Sequence, residues 1–271
     1  MLLTRFANFF GLKGSVRRRV LVVVRAGDTS LHAQWLQGAP PESRTWDLHL
    51  SYFGDQGDPF PNRPADVTLS FEKGTKAIGT VACLDKLGER VADYDWVWLP
   101  DDDLSANLPT LNRFFDIVRE HKLDLAQPAL GPGSYIAHDI TLQRPHMKLR
   151  YTTFVEIMAA CFSRRALELC RPYLGATVSS WGPNHIFSRL LGYPERAIAI
   201  VDETAVVHTR PVGGPNIELA RQLGVNPIGE FEDFLRAHQL TRRLETWAGV
   251  DLNGNVITNL SEIDRVKAPH S

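Results

Sequence analysis

Short apolar runs alternate with helical stretches through the first half of the sequence, and this alternation restricts the fold more than any other feature. Residues 20–24 are valine and leucine, which is typical of a strand buried on both faces of its sheet. Further strands are predicted over residues 45–54, 67–71 and 95–100, and helices follow the first, third and fourth strands. The order predicts an α/β, Rossmann-like fold with a mostly parallel sheet flanked by helices.

The second half of the sequence is less regular. We expect β-rich runs up to residue 208 and mainly helices after residue 215, with a small hairpin that turns at Asn253-Gly254. No repeat or low-complexity linker separates these parts. The prediction is therefore a basic leader over residues 1–18, a main domain over 19–214, and a helical C-terminal extension over 215–271 that belongs to the same compact unit.

The composition is that of an ordinary globular protein. Hydrophobic residues make up 44% and charged residues 23% of the chain, which argues against disorder. The formal net charge of −1 gives no general attraction to nucleic acid. The three cysteines (Cys83, Cys161, Cys170) have no metal-ligand spacing and indicate buried thiols in a reducing compartment, so we expect a cytoplasmic protein.

The leader combines an apolar helical face with positive charge. Leu3, Phe6 and Phe10 fall at the spacing of one helix face, and three arginines follow at 17–19. A secretory signal would carry most of its charges before the apolar part, so the order argues against one. Two interpretations stay open: a helix that lies peripherally on the inner, anionic face of a membrane, or a helix packed on its own domain or a flexible leader ahead of the first strand.

Three consecutive aspartates, at 101 to 103, directly follow the predicted buried strand "YDWVWLP". Alternate side chains of a strand share a face, so Asp101 and Asp103 are expected to point the same way. Two ionised carboxylates that face one spot repel each other unless a cation lies between them. Mg²⁺ and Mn²⁺ prefer oxygen ligands and often keep positions open for phosphates. A divalent metal site is one interpretation, and a helix cap with a solvated turn is the other.

Other polar residues are expected at the same edge of the sheet. Asp28 follows the first predicted strand, and Lys76 opens the helix after the third. Because ligands of parallel sheets bind beyond the carboxyl ends of the strands, these residues and the three aspartates predict one polar site.

Five blocks of the sequence resemble a known family in order and spacing. They are "YDWVWLPDDDLSANL", "LAQPAL", "FVEIMAACFSRRALE", "SSWGPNHIF" and "AIVDETAVVHTRPVGG". The family is domain of unknown function 707, which looks like the glycosyltransferases of the GT-A type. The resemblance extends over about residues 20–214 and implies that the main domain is a GT-A-like catalytic domain, with a nucleotide-sugar donor bound across its first strands.

The resemblance also implies roles on the donor side. Asp101 and Asp103 match the family's metal-binding Asp-x-Asp pair, and Asp102 stands where the family commonly has Glu. A late histidine, His208, would complete the shell of Mn²⁺ or Mg²⁺, with a place in the core as the alternative. The other donor-binding residues would be Arg25 and Asp28 at the nucleoside, Lys76 at the ribose or phosphate, and Arg210 at the diphosphate. For Lys76 and Arg210, an ordinary surface position is the alternative.

Two residues of the second half are candidates for the sugar pocket. Glu156 interrupts an apolar run, so it either pairs with a cation such as Arg150 or Arg164 or lines the pocket as a catalytic residue. Trp181 offers a flat face on which an acceptor sugar could stack, or it belongs to the core.

The general base is uncertain in this sequence because Asn184 stands where the family more often has Asp. Asparagine cannot accept a proton at neutral pH, so its expected role is in acceptor binding. His185 or Asp202 is then the expected base, and the imidazole of histidine titrates in the useful range.

Together these features predict a metal-dependent glycosyltransferase, which moves a sugar from a nucleotide-sugar donor to a hydroxyl group of a polysaccharide or other glycan, or of a lipid-linked acceptor. The alternative is a non-catalytic nucleotide-sugar or carbohydrate-binding module on the same fold, which the asparagine at 184 keeps open. A phosphohydrolase of the aspartyl-phosphate type is disfavoured, because "DDDLS" lacks the threonine of Asp-x-Asp-x-Thr.

Overall fold

The computed structural model describes residues 20–57 and 59–264. The leader predicted over residues 1–18 lies outside the described residues, and so does the end of the C-terminal extension, residues 265–271. Within the described ranges, the helices lack the combination of length and apolar character that crossing a bilayer requires.

A large mixed sheet forms the centre of the described chain. Its strands are β1 (Val20–Ala26), β2 (Trp46–Tyr52), β3 (Thr68–Phe71), β4 (Trp96–Pro100), β6 (Leu125–Leu130), β7 (Met147–Thr152), β8 (Ala159–Ser163), β9 (Ile198–His208), β10 (Thr246–Asp251) and β11 (Val256–Ile257). They lie in the order β11-β10-β7-β9-β6-β8-β4-β1-β2-β3. The short strand β5 (Leu104–Ser105) pairs separately with the end of β9.

The first four strands form a parallel unit, as the alternation of strands and helices predicts. β1 pairs in parallel with β2 on one side and with β4 on the other, and β2 pairs in parallel with β3. All seven residues of β1 are buried, because both faces of this strand are covered. The predicted α/β fold is confirmed.

The other half of the sheet is mainly antiparallel. β8 lies between β4 and β6 and runs antiparallel to both, whereas β6 and β9 are a parallel pair. β7 runs antiparallel to β9 and to β10. Since β10 belongs to the C-terminal extension, that extension adds an edge to the main sheet. β10 and β11 form the expected hairpin, in which Gly254 has φ +89°.

Helices cover the sheet on two sides and enclose two apolar cores. They are α1 (Lys76–Leu87), α2 (Leu108–Glu120), α3 (Arg164–Leu174), α4 (Asn184–Leu190), α5 (Gly214–Gln222), α6 (Pro227–Ala237) and α7 (Leu260–Ile263). One core contains Trp98 and the rings of α2, and the other contains Leu84 and Phe187. Alternate residues of β1, such as Val22 and Val23, contribute to different cores. The three cysteines are buried free thiols.

Candidate active site

A pocket of about 620 Å³ opens at the carboxyl ends of β1 and β4, the edge at which the sequence predicts a ligand site. Its walls come from the N-termini of α1, α4 and α5, residues 156–158 before β8, the end of β9, and α6. Among the residues predicted for the site, all except Asp28 and Asp202 line this pocket.

Asp101, Asp103 and His208 form a compact group in the pocket, which we call the acidic centre. β5 pairs with the end of β9, with Leu104 opposite His208, and this pairing holds Asp103 beside the imidazole. The backbone N–H of Thr209 donates to the carbonyl of Asp103 over 3.1 Å. One potential ligand atom of each residue in the acidic centre lies within 4.8 Å of the other two.

The hydrogen bond of Nδ1 orients the Nε2 of His208 toward the acidic centre. Nδ1 lies 2.7 Å from the carbonyl oxygen of Tyr135, which can only accept, so Nδ1 is the donor. Nε2 lies 3.4 Å from Oδ2 of Asp103. Metal-binding histidines are commonly oriented in this way. Burial alone would lower the pKa of His208, but its hydrogen bonds to Asp103 and Tyr135 outweigh burial and raise the pKa.

The acidic centre fits a hard divalent cation. Oδ1 of Asp103 is buried and has no hydrogen-bond partner in the described part of the chain, which is costly for an ionised carboxylate unless a cation binds it. Burial raises the pKa of Asp101, although the charge of Lys76 acts in the opposite direction. Two carboxylates and an imidazole are suitable ligands for Mg²⁺ or Mn²⁺.

Lys76, the first residue of α1, contacts the acidic centre. Its ammonium group forms an ion pair with Asp101 and donates to the carbonyl of Ile157 over 3.0 Å. Its backbone N–H donates to the side chain of Asn216 over 2.7 Å, which ties the N-termini of α1 and α5 together. Because the side chain is only 15% exposed, Lys76 is not an ordinary surface lysine.

Asp102 joins the end of β1 to Arg210. One carboxylate oxygen accepts from the N–H of Gly27 over 2.8 Å, and the other accepts from Arg210 over 3.1 Å. Arg210 also donates to the carbonyl of Thr29 over 2.6 Å. Since both oxygens of Asp102 already bind the protein, we expect Asp102 to position Arg210 rather than to contact a ligand.

The two residues expected at the nucleoside have different positions. Arg25 lines the pocket, where it donates to the hydroxyl of Ser51 and to the carbonyl of Glu72, each over 2.8 Å. Asp28 is exposed, lies outside the pocket lining, and accepts a hydrogen bond from Tyr52. The prediction for Asp28 is therefore corrected: its carboxylate fixes the turn after β1 by binding the tyrosine hydroxyl.

Glu156 is a buried carboxylate in the wall of the pocket, with 8% of its surface exposed. Arg150 and Arg164, the two cations considered as its partners, are bonded elsewhere. Of the two interpretations from the sequence, Glu156 therefore fits the one that places it in the pocket. Its Oε2 has no hydrogen-bond partner among the described residues. Burial raises the pKa of Glu156 to about 7, although the charge of His208 acts in the opposite direction.

The loop before α4 brings Trp181 and Asn184 to the pocket. Gly182 has φ +111°, and a Cβ at this position would lie 2.9 Å from the ring of Phe234, so glycine is required. Trp181 is partly exposed at the pocket, whereas Asn184 is buried at the first turn of α4. The indole is therefore accessible to a ligand, as stacking on a sugar would require.

His185 lies in the pocket among other rings. Its ring centroid is 5.2 Å from that of Phe154 and 5.5 Å from that of Phe231. Burial lowers the pKa of His185 to about 4. An imidazole with so low a pKa is a weak base, so this environment disfavours the expected role of His185 as the general base.

Asp202 requires a correction, because it is a structural residue. It is fully buried outside the pocket, where Arg150 donates to both of its oxygens over 2.9 and 3.0 Å. The backbone N–H of Arg144 adds a third hydrogen bond, over 2.7 Å. These bonds occupy the carboxylate and keep it from any substrate, so Asp202 cannot serve as the general base.

Replacing Asp202 by asparagine is expected to lower the free energy of unfolding by about 3–5 kcal/mol, because Arg150 would remain charged and buried without its partner. Chemical denaturation measures this difference. Asp233→Asn is the matched control: Asp233 pairs with Arg236 at the surface, where both side chains are more than 70% exposed, and its loss should cost less than about 1 kcal/mol. Equal effects of the two substitutions would contradict the structural role.

Two residues with unbonded polar atoms in the pocket, Thr75 and Ser180, were not predicted from the sequence. Eight buried side-chain polar atoms of the described chain lack a hydrogen-bond partner, and five belong to residues that line the pocket: Arg25, Thr75, Asp103, Glu156 and Ser180. Buried polar groups are normally bonded, so this concentration in one cavity indicates a polar ligand. For Thr75, the available sequence signal was its position directly before a predicted helix.

Residues 88–153 match the model of a family described as "Protein of unknown function (DUF707)". This range contains the first two of the five sequence blocks, including the three aspartates, and it confirms the resemblance over that part of the chain. No curated protein matches the sequence.

Solved structures of S. aureus TarS are similar in fold. For TarS 1-349 the identity is 13% and the TM-score 0.49, with 81% of this chain and 71% of that chain covered. For its complex with UDP-GlcNAc the identity is 13% and the TM-score 0.48, with 81% of this chain and 72% of that chain covered. For its complex with UDP the identity is 12% and the TM-score 0.46, with 81% and 71% covered. At such identities the likeness concerns the fold alone.

Proposed function

We propose that this chain, whose residues 88–153 match the DUF707 family, is a metal-dependent glycosyltransferase. It would move a sugar from a nucleotide-sugar donor to a hydroxyl group of a glycan or lipid-linked acceptor. The supporting observation is the acidic centre, with its three ligand atoms within 4.8 Å of one another in the wall of a pocket of about 620 Å³. A nucleotide sugar could use both features, a cation at its diphosphate and a cavity for its sugar.

The groups around the acidic centre suit a diphosphate. Lys76 forms an ion pair with Asp101, Arg210 lines the pocket, and the N-terminus of α1 lies at the pocket as well. The positive end of a helix dipole favours phosphate. A Mg²⁺ or Mn²⁺ ion bound at the acidic centre would neutralise the charge that develops on the departing nucleoside diphosphate.

Glu156 is the best candidate for the general base. In the transfer, the acceptor oxygen bonds to the anomeric carbon while the bond from that carbon to the diphosphate breaks, and the hydroxyl proton must move to a base. Glu156 lines the pocket, its Oε2 is unbonded among the described residues, and burial raises its pKa to about 7. We therefore assign this role to Glu156 rather than to His185 or Asp202.

The test is a panel of nucleotide sugars incubated with the full chain, Mn²⁺ and candidate acceptors, with released nucleoside diphosphate as the readout. At least one donor should be cleaved, and EDTA should stop the release. A donor that binds in calorimetry but is never cleaved would instead support the non-catalytic binding module. Failure of every nucleotide sugar to bind in the presence of Mn²⁺ would overturn the proposed function.

Lys76→Met should have opposite effects on the metal and on the nucleotide. Without nucleotide, the affinity for Mn²⁺ should rise about fivefold, because an ammonium group no longer competes for Asp101. The affinity for UDP in the presence of Mn²⁺ should fall, because one phosphate-binding cation is lost. Calorimetry measures both constants. Lys73→Met is the control, since Lys73 is exposed and pairs with Asp55 outside the pocket; a lower Mn²⁺ affinity in Lys76→Met would contradict the prediction.

A further inference from the structure

A second part of the pocket is built from rings rather than carboxylates. His138, His185 and Phe231 line it, and we call these three residues the aromatic wall. The two imidazole centroids are 6.2 Å apart, and the His185 and Phe231 centroids are 5.5 Å apart. The buried ring of Phe154 lies 4.8 Å from His138 and 5.2 Å from His185, so the imidazoles are packed in place from behind.

Arg242 extends the aromatic wall and gives it a positive charge. Its guanidinium lies 4.5 Å from the centroid of Phe231 and lines the pocket. Its charge lowers the pKa of both His138 and His185, although burial is the larger cause in each case. In the part of the chain that the structure describes, no carboxylate forms an ion pair with Arg242.

The neighbouring residue, Arg243, is paired with a carboxylate, unlike Arg242 within the ranges that the structure describes. It forms an ion pair with Glu245 over 2.7 Å and stacks on Tyr193 with its guanidinium 5.0 Å from the ring centroid. It does not line the pocket. Of these two adjacent arginines, Arg242 alone therefore presents a guanidinium to the cavity.

The polar atoms of the aromatic wall can bind hydroxyl groups. Because His185 has a pKa of about 4, its ring is neutral at pH 7 and offers one donor and one acceptor. Neither imidazole of the wall forms a side-chain hydrogen bond with another residue of the 20–57 and 59–264 ranges. Trp181, at the same pocket, adds a flat apolar face. Neutral imidazoles beside aromatic faces suit a hydroxylated ring, and an arginine without a carboxylate partner suits an anionic substituent on that ring.

We infer that the aromatic wall and Arg242 form the acceptor subsite, and that this subsite takes a sugar carrying a carboxylate or a phosphate group. The inference rests on the proposed glycosyltransferase function, which leaves the chemical class of the acceptor open. The anionic group would bind the guanidinium of Arg242, and the ring would lie against Trp181 and Phe231.

The test compares sugars that differ in charge, by calorimetry or saturation-transfer NMR on the full chain with UDP and Mn²⁺. Methyl glucuronide and glucose 6-phosphate are the anionic probes, and methyl glucoside is the neutral one. At least one anionic probe should bind about tenfold more tightly than the glucoside. The stronger of the two anionic probes identifies the preferred group. Arg242→Gln should abolish the preference, and Arg243→Gln, the matched control, should keep it.

The outcomes separate this inference from the proposed function, because binding of UDP is measured in the same samples. If UDP binds with Mn²⁺ and the neutral and anionic sugars bind equally or not at all, the anionic subsite is refuted and the proposed function is untouched. A preference that survives Arg242→Gln also refutes the subsite. If the preference exists and is lost in Arg242→Gln while UDP fails to bind, Arg242 binds an anionic sugar, but the acceptor role is refuted together with the transferase function.

Discussion

Asp103→Asn should lower the affinity for UDP measured with Mn²⁺ by at least about a hundredfold. Asp103 contributes to the acidic centre a carboxylate whose Oδ1 is buried without a hydrogen-bond partner among the described residues, and asparagine offers a neutral, weaker ligand. Loss of residues that merely orient metal ligands already costs about 10- to 100-fold in metal affinity, so loss of a direct ligand should cost more. Calorimetric titration of UDP with Mn²⁺ and with EDTA gives the metal-dependent part of the affinity.

The neighbouring aspartate provides the control for this experiment. Asp102→Asn removes the same charge one position away, but Asp102 binds Gly27 and Arg210 and is not part of the acidic centre. Its Mn²⁺ affinity should stay within a few-fold of that of the unmodified protein. Unchanged metal-dependent binding of UDP in Asp103→Asn would remove Asp103 from the metal site, and equal losses in both variants would indicate a general effect of charge.

Glu156→Gln should lower the turnover of the proposed transfer by about 10²- to 10⁴-fold, because glutamine cannot accept the proton of the acceptor hydroxyl. The substitution keeps the size of the side chain and leaves the acidic centre intact, so the affinity for UDP with Mn²⁺ should change little. Steady-state kinetics and calorimetry measure the two quantities separately. A variant with full turnover would show that another group takes the proton.

The same substitution should stabilise the protein at higher pH. Burial raises the pKa of Glu156 from its ordinary value of 4.5 to about 7, so ionisation costs the folded state more than the unfolded state. This penalty is absent below about pH 4.5, grows between the two pKa values and is complete above about pH 7, where it amounts to about 3 kcal/mol. Urea denaturation at pH 5 to 8 should show the advantage of Glu156→Gln growing over this range. A pH-independent difference would contradict the raised pKa.

The position of the acidic centre could be predicted from the sequence because it depends on local features. An apolar run followed by Asp101 to Asp103 marks the end of a buried strand, and the alternation of strands and helices places that end at the ligand-binding edge. His208 ends a later β-rich run, and its role as a metal ligand was implied by the family resemblance; the structure brings it to the same edge.

Asp202 was misassigned because two features of its environment are invisible along the chain. β6 and β9 change register between the pairs Pro128–Val201 and Leu130–Val206, so β9 contains an irregularity next to Asp202 and simple alternation does not relate it to His208. Its partner Arg150 lies 52 positions away in sequence. Because this salt bridge is not visible in the sequence, the carboxylate of Asp202 could be mistaken for a catalytic group.

The polar groups contributed by loops were missed for a related reason. Ser180 has φ +68°, a conformation that serine rarely adopts and that no sequence pattern predicts. Asn216 meets the backbone of Lys76 although 140 positions separate them. This contact arises where the N-termini of α1 and α5 meet and cannot be read from either segment alone.

The pairing of β5 with β9 has a consequence for which insertions the chain can accept. The ladder comprises two residue pairs, Leu104 with His208 and Ser105 with Val207. An extra residue in β9 before Val207 would place Val207 opposite Leu104, turn the imidazole of His208 to the opposite face and present an aliphatic side chain to Asp103. Extra residues after Arg210 would mainly lengthen the connection to α5, at about 0.6 kcal/mol for each doubling of loop length. Insertions should therefore be tolerated in the connection to α5, whereas insertions in β9 ahead of the ladder should disrupt the acidic centre.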